Sequence, residues 1–230
     1  MKVLITGANR GVGLALVQIF AEKGHTAIAC CRTLNGADDL QALQARYPEN
    51  IAVLKLDVTE EEDAKAAAEL VKQRFGSIDA IINNAGVLLD WEQDIMEIDI
   101  SKVRRTIDIN TVGALIVTKY FLPLLKKEEG SAVINISSEA GILSNNSDGL
   151  MSYRMSKAAL NMQTRLLRHS LRDTPVRVYA VHPGRVLTDM NRAGGQIEPR
   201  ESAEGIYAIT MGEMNPTEFF VDYTGKALPL

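Results

Sequence analysis

Val3-Leu4-Ile5-Thr6-Gly7-Ala8-Asn9-Arg10-Gly11-Val12-Gly13 begins as an apolar run and ends as a loop punctuated by glycines. Val12, Ala15, Leu16, Ile19 and Phe20 then recur at helical spacing, and Gly24 marks the stop. A continuous apolar run suits a strand covered on both faces. The glycines let the chain turn tightly and bring backbone up to a pyrophosphate, whose charge a helix N-terminus favours. Thr6, Gly7, Asn9, Arg10, Gly11, Val12 and Gly13 are therefore candidate dinucleotide-binding residues. A glycine-rich turn that binds nothing has the same composition, but this one leaves a strand and opens an amphipathic helix. No Gly-Lys-Ser/Thr follows it, which excludes an ATP-type phosphate loop.

Outward from this unit the alternation continues. Strands are expected at 26–31, 51–56, 78–82, 132–136, 176–181 and 219–223. Helices are expected at 101–127, bent by Pro123, at 152–172 and at 203–214, with Thr59 and Glu62 forming a capping box for another. Such alternation predicts an α/β fold in one domain, residues 1–230: a single doubly wound parallel sheet of Rossmann type with helices on both faces. Ligands in such sheets bind at the carboxyl ends of the strands.

Composition narrows the function. The 230 residues are 46% hydrophobic and 23% charged, which is ordinary for a globular chain and wrong for a disordered one. A net charge of −4 with no basic stripe speaks against nucleic acid as a partner. Adjacent Cys30 and Cys31 offer no loop-closing disulfide, which fits a cytoplasmic protein. No run of eighteen apolar residues is present, so no membrane partner is expected. His25, His169 and His182 lack metal-ligand spacing, so no metal is expected.

The choice of dinucleotide turns on the end of the second strand. An NAD(H) site usually offers an acid there to the ribose hydroxyls. Here the residues are Cys30-Cys31-Arg32. Arg32, aided by Arg10, suits a 2′-phosphate, so NADP(H) is preferred and NAD(H) is the alternative. Asp57, at the end of the third strand, is then an adenine contact beside Val58.

Tyr153 and Lys157 stand four apart in a helical stretch, hence on one face. Asn83-Asn84-Ala85-Gly86 ends the fourth strand, Ser137-Ser138-Glu139-Ala140-Gly141 the fifth, and Pro183-Gly184 follows the sixth, with Asn110 inside the long helix. In this order, over nearly the whole chain, the pattern resembles the short-chain dehydrogenase/reductase family, most closely its branch of C-factor-like proteins and small carbonyl reductases.

The resemblance implies a carbonyl/alcohol oxidoreductase with Tyr153 as acid/base and Lys157 lowering its pKa and holding the nicotinamide ribose. It implies that Ser138 orients the carbonyl and that Asn110 positions a water in the proton path. Asn84, Ala85, Gly86, Pro183, Gly184, Val186 and Thr188 join the cofactor-binding set. Matching a phenol of pKa near 10 to neutral pH needs about 4 kcal/mol. A cation about 4 Å away at an effective dielectric near 20 supplies that much, while burial works against it. The resemblance also implies that the helices at 101–127 and 152–172, with Ile109, Leu115, Ile116, Tyr120, Met162, Leu166 and Leu167, form the contact of a homodimer or homotetramer.

Two departures stand out. The stretch between Ser138 and Tyr153, with Ser-Asn-Asn-Ser-Asp-Gly at 144–149, is longer than in many members, and the segment from Gly184 to Ser202 is too brief for a large lid. Leu88, Leu89, Trp91, Met151 and Met190 suit either an apolar substrate pocket or core packing. The alternative function is a dinucleotide-binding regulatory or signalling protein with little turnover. Epimerisation or dehydration is a third reading, disfavoured by the chain's small size.

Overall fold

The computed structural model describes residues 1–91, 94–145, 149–191 and 194–230. Their seven strands are β1 (Lys2–Thr6), β2 (Thr26–Cys31), β3 (Ile51–Lys55), β4 (Ala80–Asn83), β5 (Ala132–Ile136), β6 (Arg177–His182) and β7 (Phe220–Asp222). They form one sheet in the order β3-β2-β1-β4-β5-β6-β7, with every neighbouring pair parallel. This is the expected Rossmann-type sheet.

Side chains along β1 alternate between two buried layers. Val3 and Ile5 face α1 (Gly11–Glu22) and α7 (Pro199–Met211), meeting Leu16, Phe20 and Ile206. Leu4 faces the other layer, with Val71 of α3 (Glu61–Phe75) and Val117 and Phe121 of α5 (Gly113–Phe121). Helices on both faces explain why the strands read as unbroken apolar runs.

Four local expectations are corrected. Helix α2 (Asp38–Arg46) went unforeseen because only Leu40 of its nine residues is buried, too little for a periodic signal. The long helix is not continuous. It runs as α4 (Ile100–Ile107), a π-helical turn (Asp108–Val112) and α5, then tightens at Pro123 into a short 3-10 turn (Leu122–Leu124). The capping box does not form: Glu60 caps α3 without a side-chain bond. Thr59 instead donates its N–H (3.0 Å) and hydroxyl (2.7 Å) to Asp57, whose nearer carboxylate closes a tight turn first. Finally β4 starts two residues late, since Ile78 bridges to Leu125 outside the strand.

Ile100–Leu124 is long and apolar enough to cross a membrane by length and composition. In the fold, however, its Ile116, Val117 and Phe121 pack on the sheet, so this apolarity is that of a core helix. The remaining long helix, α6 (Met151–Ser170), lies over β6 and carries Tyr153 and Lys157.

Candidate active site

Strand order reverses between β1 and β4, and the loops leaving these strands open a crevice at their carboxyl ends. A cleft of about 1110 Å³ lies there. Its floor at one end is the loop between β1 and α1. Gly7 is left-handed (φ +63°), and a Cβ on it would stand 2.8 Å from Ala85 Cα. A Cβ on Gly13 would stand 2.2 Å from the Gly7 carbonyl oxygen, so neither position admits a side chain. Arg10 caps α1 without a side-chain hydrogen bond, and no acid occupies the first turn. The first N–H groups of a helix have no partner within it, and here the N-cap side chain does not supply one.

Two predicted residues work behind this floor. Thr6 Oγ accepts the N–H groups of Asn84 and Ala85, each at 3.0 Å. Asn84 Nδ2 donates to the Thr6 and Gly7 carbonyls at 2.9 and 3.1 Å. These bonds stitch the loops after β1 and β4 together. Thr6 and Gly13 thus shape the cleft without lining it, whereas Gly7, Asn9, Arg10, Gly11, Val12, Asn84, Ala85 and Gly86 line it directly.

Farther along the same wall stand Arg32, Asp57 and Val58. Burial pushes the Asp57 carboxyl up, but the two Thr59 hydrogen bonds and the charges of Arg105 and Arg32 outweigh it and hold the group below the usual range. Arg32 is exposed at the end of β2. Arg10 does not turn toward it; its Nη1 lies 3.5 Å from Asp189 Oδ2, across the cleft mouth. Pro183, Gly184, Val186 and Thr188 line the opposite rim. Thr188 comes close enough that a Cβ on Gly11 would meet its methyl at 3.2 Å. The segment after Gly184 folds back on itself through Gln196 N–H to the Arg185 carbonyl (2.6 Å) and Leu187 N–H to the Ile197 carbonyl (2.9 Å). Of its residues, 192 and 193 lie outside those described.

At the other end α6 brings Tyr153 and Lys157 beside Ser138, which follows β5. Lys157 is 4% exposed; its Nζ donates to the Ile136 carbonyl at 2.7 Å and lies 5.5 Å from the Tyr153 ring centroid. Burial lowers its ammonium to about 8. Tyr153 is half-buried as a residue, yet enough protein surrounds its hydroxyl for burial to push the phenol up, with a Ser138 hydrogen bond pulling the other way. Burial thus acts on both partners, pushing the phenol up and the ammonium down. Ser137, by contrast, turns inward and donates to Asn161 Oδ1 at 2.5 Å. That leaves Ser138 as the serine facing Tyr153.

Asn110 sits in the π-helical turn, whose extra width aims its amide inward. Oδ1 accepts the Val87 N–H (2.8 Å), and Nδ2 donates to the Val87 carbonyl (2.9 Å) and Ser156 Oγ (3.0 Å). It does not line the cleft. A Cβ on Gly86 would lie 3.4 Å from Asn110 Oδ1 and 3.8 Å from Lys157 Nζ, so this backbone stands between the two side chains.

Several lining residues carried no sequence signal: Asp39, Arg105, and the ion pair of Glu139 with Arg185 (3.0 Å). Of the apolar set, Leu88, Trp91 and Met190 line the cleft whereas Leu89 and Met151 do not, and Leu150, outside that set, lines it as well. In the long stretch before Tyr153, positions 146–148 lie outside the described residues. Its two sides are tied to α6 by Arg154, which donates to the Asn145 and Gly149 carbonyls at 3.3 and 3.1 Å.

Residues 1–198 match the sequence profile of the short chain dehydrogenases. The chain belongs to the short-chain dehydrogenase family. Among its relatives, 1-hydroxy-2-glutathionyl-2-methyl-3-butene dehydrogenase of Rhodococcus sp. is 34% identical over 209 residues, covering 89% of this chain and 88% of that protein. The NADPH-bound carbonyl reductase from chicken fatty liver superposes with a TM-score of 0.90 at 33% identity, covering 100% of this chain and 98% of that one. The carbonyl reductase Sniffer of Drosophila melanogaster gives the same TM-score at 27% identity, with 100% and 99% covered. As a short-chain dehydrogenase the protein is an oxidoreductase that uses a nicotinamide dinucleotide and a small-molecule substrate.

Proposed function

We propose that this short-chain dehydrogenase is an NADP(H)-dependent carbonyl reductase that interconverts a carbonyl and an alcohol. One observation carries the reading: a single cleft joins a glycine floor at an uncapped helix start to Tyr153, Ser138 and Lys157 at its far end. The glycine floor fits a pyrophosphate, since two positions exclude a Cβ and the helix N-terminus favours an anion. Gly7, Asn9, Gly11, Val12, Asn84, Ala85 and Gly86 would hold the dinucleotide from one side and Pro183, Gly184, Val186 and Thr188 from the other. Asp57 and Val58 would border its adenine, and Arg32 its 2′-phosphate. The NADPH-bound state of the chicken enzyme supports the choice of phosphate form.

When bound, the nicotinamide supplies or receives the hydride. Ser138 donates a hydrogen bond to the substrate oxygen, and Tyr153 releases its proton to that oxygen as negative charge develops there. The Lys157 ammonium, carried below pH 8, stabilises the phenolate left behind. Asn110 acts from behind, holding Val87 and Ser156 in place. Leu88, Trp91 and Met190 give the substrate an apolar wall. Because the site keeps all four side chains, turnover is favoured over a purely regulatory role.

The test is a panel of aldehydes, ketones and quinones assayed with NADPH and NADH in parallel. The expected result is turnover with kcat/KM about ten-fold or more higher for NADPH, the worth of a charge-assisted phosphate contact. No oxidation of either cofactor by any carbonyl would overturn the reading.

The protein is further proposed to be cytoplasmic, in keeping with its free thiols at Cys30 and Cys31. A homodimer or homotetramer is proposed as well, through the exposed Leu115 of α5 and Met162 and Leu166 of α6. Ile109 and Ile116 belong instead to the core. Light scattering at micromolar concentration is expected to give a dimer or larger, and a monomer would refute the association.

A further inference from the structure

The start of α6 lacks the features that normally begin a helix. Leu150 occupies the N-cap with a left-handed backbone (φ 55°, ψ 35°) and no capping side chain. Among the described residues it is the one non-glycine with positive φ, a conformation that costs a branched side chain free energy. The orphan N–H of Ser152 is met from elsewhere. Asp90, 62 positions earlier in the chain and 0% exposed, accepts it at 3.0 Å. The Ser152 hydroxyl also donates to Asp90 Oδ1, and Thr106 Oγ1 of α4 lies 3.3 Å from that hydroxyl.

A fully buried carboxylate needs such partners to be tolerated at all, and here they lie at the positive end of a helix. The next residue along α6 is Tyr153. On its other side the Tyr153 carbonyl accepts Ser156 Oγ (2.7 Å), which in turn accepts Asn110 Nδ2 (3.0 Å). Tyr153 thus stands between two serines of its own helix, Ser152 and Ser156, each held by a side chain from outside it, Asp90 and Asn110. Asp90 also lies four residues past Gly86, on the segment that supplies Val87, Leu88 and Trp91 to the cleft. It joins the wall beside the dinucleotide to the helix that carries the phenol.

We propose that Asp90 is a positioning residue: by capping α6 remotely it sets where the Tyr153 hydroxyl stands relative to the nicotinamide side of the cleft. The inference rests on Tyr153 being the proton donor. Displacement of a reacting group by about 1 Å costs up to roughly a hundred-fold in rate, so Asp90→Ala is expected to lower kcat by about ten- to a hundred-fold. Asp90→Asn keeps an acceptor for the Ser152 N–H but loses the charge, so its loss is smaller, about three- to ten-fold.

The experiment measures kcat and KM for a carbonyl substrate, NADPH dissociation by fluorescence, and the NADPH deuterium isotope effect for both variants and for Tyr153→Phe. The expected pattern is a fall in kcat with NADPH affinity held within about three-fold, and an isotope effect larger than that of the parent as hydride transfer becomes limiting. If Asp90→Ala does not fold, Asp90→Asn decides. Unchanged kcat in the Asn variant, or parallel loss of kcat and NADPH affinity, overturns the positioning role. Full activity of Tyr153→Phe overturns the proton-donor assignment instead, so the two failures are told apart.

Discussion

Helices α1 and α6 open onto the same cleft and begin in opposite ways. At α1 the N-cap residue, Arg10, makes no capping side-chain hydrogen bond, and no acid fills the first turn. At α6 a buried aspartate from a distant loop occupies the corresponding place and consumes the N–H of Ser152. The first helix thus offers backbone to a ligand, and glycines keep side chains out of the way. The second has spent its N-terminus on rigidity and offers side chains in fixed places. Binding asks for exposed donors and empty space; proton transfer asks for a hydroxyl that does not wander.

Changes on either side sharpen this contrast. The largest effect on cofactor binding is expected at the α1 end. Gly13→Ala drives a Cβ to 2.2 Å from the Gly7 carbonyl, and overpacking of about 1–3 kcal/mol corresponds to roughly a 10- to 100-fold loss of NADPH affinity. A fluorescence titration showing unchanged affinity would mean that the loop has no part in binding. Next comes Arg32→Asp, which is expected to shift the NADPH/NADH ratio of kcat/KM by about ten-fold toward NADH; a ratio that stays put would remove Arg32 from the phosphate.

The smallest effect concerns stability at the α6 end. The Lys157 pKa of about 8 lies below its ordinary 10.5, so between these values the unfolded chain binds more protons and stability rises with pH. The penalty for burying the ammonium is fully present below pH 8, is about 3 kcal/mol at most, and fades as pH approaches 10.5. Lys157→Met is therefore expected to raise Tm at pH 7 by a few degrees, at about 2–4 °C per kcal/mol for a chain of this size, while abolishing turnover. Melting curves at pH 7 and pH 10 should show the difference from the parent shrinking. A lower Tm at pH 7 would show that the bond to Ile136 outweighs the cost of desolvation.

What could be read beforehand follows the range of the interactions. The sheet was legible because buried parallel strands are apolar throughout, and Tyr153 with Lys157 because four residues make one helical turn. The glycine loop was legible because its demands are local. Asp90 was not, since its partner Ser152 is 62 residues away and an aspartate between Leu89 and Trp91 has no distinguishing neighbour. The inward turn of Asn110 depends on a π-helical turn that no periodicity marks. For the phenol the opposing effects of the lysine's charge and of burial were legible, but how deeply each member is buried depends on the packed fold.

Chemistry on one helix and binding on the other can be separated in a single variant. Tyr153→Phe, which removes only the hydroxyl, should lower kcat for carbonyl reduction by about 100-fold or more, the scale of general acid catalysis, while NADPH binds as tightly as to the parent. Carbonyl reduction at the parental rate by that variant would contradict the account.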